Sequence, residues 1–278
     1  MNVLRVIFLI FWCSNYADTM AKATRDVYVP KRDPKWNDWQ DALRAIRKHS
    51  STKHPGSIGE GVWLHAVVMY DSAFSNAALS SPTKWKAETE NNNGVSGENP
   101  IEGYFKSLFQ ELQMYFKNQS ILVNITVESV SENNNLTVFY DQFKIINGSA
   151  TLKNIQTYGR SQGKSNDTIF YLFTWPEAGG NPNRLFDHVT TPGSHRLGVS
   201  EVSTEGTFCT STTSAALIRH NPRSLMNYWS TARATARVFG SEHFLPITQQ
   251  DREKMNMTFS RCPRYEKKKI EDGDIMQC

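Results

Sequence analysis

Between Arg233 and His243 the chain carries a spacing suited to metal chemistry, filled with residues that cannot perform it. The segment reads Arg233-Ala234-Thr235-Ala236-Arg237-Val238-Phe239-Gly240-Ser241-Glu242-His243. Residues four apart on a helix share one face, so imidazoles at 233 and 237 could grip one metal ion. A glycine at 240 lets the chain turn sharply and bring a third imidazole, at 243, back to that ion. A glutamate at 234 would polarise the metal-bound water as general base. The sequence instead has Arg233 and Arg237 at the two ligand positions and Ala234 at the base position, and keeps only Gly240 and His243. A guanidinium stays protonated and offers no lone pair. Two arginines at this spacing are also what an ordinary charged helix face carries, and that reading stands beside the first.

The elements around the segment have to position it. Asn221-Pro222 predicts a helix start, with Asn as cap and Pro in the first turn. Leu225, Trp229, Ala232, Ala236 and Phe239 line one face at spacings of three and four. Gly240 can end the helix in a left-handed conformation, and Pro246 blocks continuation. Upstream, residues 61–74 read as a strand, and 85–99 as a polar loop. Asn99-Pro100 opens a second helix, with Ile101, Phe105, Leu108, Leu112 and Tyr115 on its apolar face. Residues 121–130 alternate as a strand, and 168–175 form a nearly continuous apolar run expected of a strand buried on both faces. A Gly/Pro/Asn-rich loop is expected over 176–192, and a half-polar strand over 197–207. Strands alternating with helices predict an α/β sandwich with a mainly parallel twisted sheet. There is no internal repeat.

With these residues in place, the frame H-E-x-x-H-x-x-G-x-x-H of the metzincin zinc proteases is intact in spacing and degenerate in chemistry. The chain resembles the reprolysin-like (adamalysin) metalloproteases, especially the secreted salivary and venom forms of ticks and scorpions. The resemblance is carried by the opening strand WLHAVVMYDSAF, the buried strand DTIFYLFTW, Cys209 ahead of the helix, ARVFGSEH, and IMQC at the end, and it spans roughly residues 61–278. It implies a two-lobed catalytic-domain fold with an active-site-type helix, a zinc cleft between the lobes and a small cysteine-bridged C-terminal lobe. It also implies that Met276 lies in the Met-turn beneath the metal. Cys262 and Cys278 flank that turn and are the expected disulfide, which leaves Cys209 free or paired beyond this chain's end. A fold rarely stops at a cysteine, so a truncation after Cys278 is expected. His188, His195 and His220 could be substitute ligands, although their spacing matches no metal-binding pattern.

Composition and compartment agree with that setting. The chain has 278 residues, 39% hydrophobic and 21% charged, which can bury a core and excludes wholesale disorder. Thirty-one basic against 27 acidic residues give a net charge of +4, so no polybasic footprint points to nucleic acid. The one long apolar run is residues 6–13. Behind Arg5, and too short to span a bilayer, it reads as a signal peptide over residues 1–17. Residues 18–60 are polar and basic, a leader or remnant pro-segment. Sequons begin at Asn118, Asn124, Asn135, Asn147, Asn166 and Asn256, as expected of a glycosylated surface. The functional expectation is a secreted, inactive metalloprotease homologue. It would act by binding an extracellular protein ligand and would have no cofactor, no nucleic-acid partner and no stable membrane anchor. The alternative is an active secreted zinc endopeptidase whose metal is held by His243 with His220 or a carboxylate.

Overall fold

The structure is a computed structural model, and it describes residues 56–79, 100–140, 145–175, 186–188, 197–222 and 228–264. The expected signal peptide, the leader up to residue 55, His195, Leu225, Met276 and Cys278 lie outside these residues. Everything described falls within the unit Trp39–Cys278.

A five-stranded sheet of order β2-β1-β5-β9-β8 organises the described chain. Its strands are β1 (Trp63–Tyr70), β2 (Asn124–Glu132), β5 (Thr168–Thr174), β8 (Glu201–Ser203) and β9 (Ser214–Arg219). β2, β1, β5 and β9 run parallel, and β8 pairs antiparallel with β9 at the edge. The fold is therefore α/β with a mainly parallel sheet, as the alternating pattern predicts. Two short hairpins accompany it: β3 (Phe139–Tyr140) with β4 (Ile145–Ile146), and β6 (Phe186–His188) with β7 (Leu197–Val199).

The alternation of side chains along the strands splits the core in two. Leu64, Ala66, Val68 and Tyr70 of β1 face the larger half, with Tyr171, Phe173, Ala216 and Ile218. This half is covered by α1 (Ser72–Leu79), α2 (Pro100–Asn118), α4 (Trp229–Val238) and α5 (Gln249–Phe259). Val67, Met69, Phe170, Leu172 and Leu217 face the other half, which α3 (Gly148–Ser161) covers through Ile155. At Gly159 of α3 a Cβ would sit 2.6 Å from Phe170 and 2.7 Å from Thr213, so only glycine permits this close helix–sheet approach.

Each face of the expected α2 stripe is buried as drawn: Ile101, Phe105, Leu108, Leu112 and Tyr115 all lie in the core. All seven residues of β5 are buried. Three expectations need correction. The opening strand stops at Tyr70, because Asp71 accepts the Phe74 amide at 2.9 Å and caps α1. The predicted 197–207 strand breaks at Ser200 into β7 and β8, because β7 pairs with β6 and β8 with β9. The helix expected from Asn221-Pro222 begins only at Trp229, after Asn221 and Pro222 have followed β9 as coil and turn.

The expected Cys262–Cys278 bridge is also corrected. Cys262 is bonded to Cys209, across a sequence separation of 53. Cys209 follows the loop after β8, and Cys262 follows α5. The bridge therefore ties the sheet edge to the last described helix.

Two outcomes follow from these contacts. Replacing Cys209 and Cys262 together by alanine should cost about 4 kcal/mol of unfolding free energy, the loop-closure entropy of a bridge this long, read by urea denaturation. Asp71 is buried and also accepts the Thr174 hydroxyl. Burial pushes its pKa up to about 6, against the hydrogen bonds from Thr174 and Phe74. A carboxyl with a raised folded pKa favours the fold below its unfolded value near 3.8 and loses that contribution as pH rises through about 6. Stability should therefore fall by on the order of 3 kcal/mol between those pH values. Asp71→Asn, which can still cap α1, should flatten that part of the pH–stability curve.

Candidate functional site

The candidate site is the outer face of α4, the turn that ends it, and the edge strand opposite. α4 buries Thr231, Ala232, Ala234, Thr235, Ala236 and Val238. Its small residues let it lie close to the sheet. The Tyr171 hydroxyl meets Thr235 Oγ1 at 2.9 Å, and the Thr235 hydroxyl donates to the Thr231 carbonyl at 2.8 Å. Burying this face turns Arg233 and Arg237, four apart, outward together.

Both arginines meet carboxylates supplied by the edge strand and its loop. Arg233 Nε lies 3.2 Å from Glu201 Oε1, and Arg237 Nη2 lies 3.3 Å from Glu205 Oε2. The two pairs differ in character. Glu201 has only 8% of its side chain exposed, whereas Glu205 and Arg237 are each 55% exposed. Burial pushes the Glu201 carboxyl upward, and the Arg233 charge, the Ser200 hydroxyl and the Arg237 charge oppose the shift. Both guanidinium groups thus act on Glu201. Arg233 also reaches over the Phe244 ring, 5.9 Å from its centroid.

The helix ends as its sequence predicts. Gly240 adopts φ +96°, its amide bonds the Arg237 carbonyl at 2.9 Å, and the Ser241 amide bonds the Ala236 carbonyl at 2.9 Å. The turn carries His243 outward, to the start of α5. There Asp251 accepts the Glu242 amide at 2.9 Å, the His243 amide at 3.3 Å and the Thr248 amide at 3.0 Å, and its Oδ2 lies 3.2 Å from His243 Nδ1. Asp251 also closes a capping box with Thr248. Partial burial alone would raise its pKa, but the Thr248, Glu242 and His243 donors dominate and hold it down at about 2. Glu242, the carboxylate three residues past Phe239, is taken by Lys254 of α5.

The structure therefore brings Arg233 and Arg237 together against Glu201 and Glu205, and gives His243 a separate carboxylate, Asp251. Ala234 lies in the core with no exposed surface, on the face turned to the sheet. His220 is fully buried among aromatic rings, with its Nε2 against the Tyr104 hydroxyl. His188 sits in β6, and its side chain is outside the described residues. Zinc does not fit the α4 positions, since two guanidinium groups occupy them and neither can coordinate a metal. Among the described residues no group of three or more His, Cys, Asp and Glu side chains gathers as a metal site. Sequence reasoning missed Glu201, Glu205 and Asp251. A signal for the first two was present: carboxylates four apart at 201 and 205 mirror guanidiniums four apart at 233 and 237.

No family model matches the chain, and no curated protein does. Among solved structures it is similar to metalloproteinase-II from Bacteroides fragilis, at 12% identity and a TM-score of 0.41. The match covers 78% of this chain and 60% of that one.

The burial of residue 234 yields a direct check. Ala234→Glu places a carboxylate in the core with no partner, and should destabilise the protein by roughly several kcal/mol in chemical denaturation. Glu205→Gln at the exposed pair should cost about 1 kcal/mol or less.

Proposed function

We propose that this chain is a metalloprotease-like domain that has lost its metal and its catalysis and works by binding another protein. One observation carries the reading: at the spacing that would hold a metal, Arg233 and Arg237 are engaged by Glu201 and Glu205. Two guanidinium charges, each held there by one carboxylate, take the electrostatic place of a zinc ion while offering no Lewis acidity and no activated water. Gly240 keeps its turn, and His243 keeps a carboxylate behind its Nδ1, an arrangement that commonly supports a metal-binding imidazole. These features suit a scaffold whose shape outlasted its chemistry.

The protein is read as secreted, with residues 1–17 as signal peptide and 18–60 as leader. No helix among the described residues is long and apolar enough to cross a membrane. Of the sequon asparagines, Asn118, Asn135, Asn166 and Asn256 are exposed, Asn124 is half-buried on the edge strand β2, and Asn147 caps α3 through its side-chain oxygen. The resemblance to the reprolysin-like metalloproteases supplies the family expectation, and the partner is an extracellular protein.

The test is metal analysis of the purified protein together with casein digestion with and without chelator. The expected result is no stoichiometric zinc and no chelator-sensitive cleavage. Stoichiometric zinc with chelator-sensitive cleavage would establish the rival reading, an active endopeptidase with an unusual site. In a parent that holds no zinc, Arg233→His with Arg237→His should create zinc uptake, because two imidazoles four apart on one helix face can share a metal.

A further inference from the structure

A third arginine, at the carboxyl end of the sheet, has no counter-ion among the described residues. Arg219 closes β9 directly beside Thr174 at the end of β5. The backbone there is fixed on both sides, since the Arg219 amide bonds the Ser200 carbonyl at 2.9 Å and the His220 amide bonds the Thr174 carbonyl at 3.0 Å. The guanidinium stacks on Trp175, with its central carbon 4.5 Å from the ring centroid. Its Nε and Nη2 atoms are both buried, and neither has a hydrogen-bond partner among the described residues.

These two nitrogens form one edge of the guanidinium. Their N–H groups point the same way, as the fork that receives both oxygens of a carboxylate. Partial burial of the group lowers its pKa. An arginine does not escape that cost by deprotonating. Buried donors are nearly always satisfied, and a buried cation without an anion is among the most expensive groups a fold can carry. The indole covers one face of the guanidinium and leaves its Nε–Nη2 edge as the unsatisfied side. That geometry suits a planar anion set edge-on. The position also lies outside the carboxyl ends of parallel strands, where open α/β sheets receive their ligands.

We propose that the Nε–Nη2 edge of Arg219, backed by Trp175, is a binding site for a carboxylate carried by a polypeptide ligand. The carboxylate comes from an acidic side chain or from a chain terminus. The site is independent of the reading given to α4, because it uses no residue of that helix or of the turn after it.

The test is thermal melting of the full chain at constant ionic strength, titrated with three probes. N-acetylglycine presents a chain-terminal carboxylate, N-acetylglutamate α-amide presents a side-chain carboxylate, and inorganic phosphate is the tetrahedral control. At least one carboxylate should raise the melting temperature saturably, as a ligand of the folded state does, and the probe that acts identifies the source. Phosphate should act more weakly. Arg219→Lys keeps the charge and loses the fork, and should weaken the carboxylate response by about tenfold or more. Trp175→Leu should weaken it as well. A wild-type melting temperature that follows neither carboxylate overturns the proposal, whatever the variants do. So does phosphate acting as strongly as the carboxylates, or an undiminished response in Arg219→Lys.

Discussion

The structure around the candidate site depends on one buried charge, the carboxylate of Glu201. It sits on the edge strand with 8% of its side chain exposed, and an isolated carboxylate in that place would be driven to its neutral form. Arg233 and Arg237 keep it compensated, and it orients them in return. The helix docks on this edge with its small residues turned to the core and its two arginines facing acids of the edge strand and its loop. Removing one member of such a group leaves the other unpaired, so the arrangement resists piecemeal change. A histidine at 233 or 237 that turned to a metal would withdraw the cation from Glu201, and the acid would have to find another partner.

Around that pair the chain is fastened at three further points. Gly240 turns the chain out of α4, and a side chain added there would meet Thr258 at 3.4 Å in a backbone conformation that other residues resist. Asp251 gathers the next amides and the His243 ring onto the start of α5. The Cys209–Cys262 bridge then joins the loop after the edge strand to the end of α5. Arg252 adds bonds at 2.6 Å to the carbonyls of Gln119 and Gly56, anchoring α5 on the side of α2. Helix, turn and edge strand thus hold their relation through these contacts.

Much of this was legible in the sequence, for reasons that separate local from distant effects. The α2 stripe and the apolar run of β5 follow from periodicity within one element, and both lie where that periodicity puts them. The Gly240 stop follows from the conformational freedom of one residue. Boundaries set by partners were not legible. β9, short and with two alanines, carries little signal of its own. α3 opens on Asn147, a cap that the sequence showed only as a sequon. α5 is strongly polar, and its buried Met255 and Phe259 are too few to draw a stripe. The disulfide depends on a tertiary approach that cysteine spacing cannot give. At the site, the residue types at 233 and 237 showed two cations on one helix face. Their actual partners, Glu201 and Glu205, come from other elements and needed the fold.

The central claim is that Arg233 and Glu201 depend on one another at this helix–edge contact. A double-mutant cycle on urea-unfolding free energies, with Arg233→Met, Glu201→Gln and the pair, measures that dependence directly. The account predicts that each single change destabilises and that the double variant recovers much of the loss, with a coupling of about 1.5 kcal/mol or more. A coupling near zero, with the two losses simply adding, would contradict it.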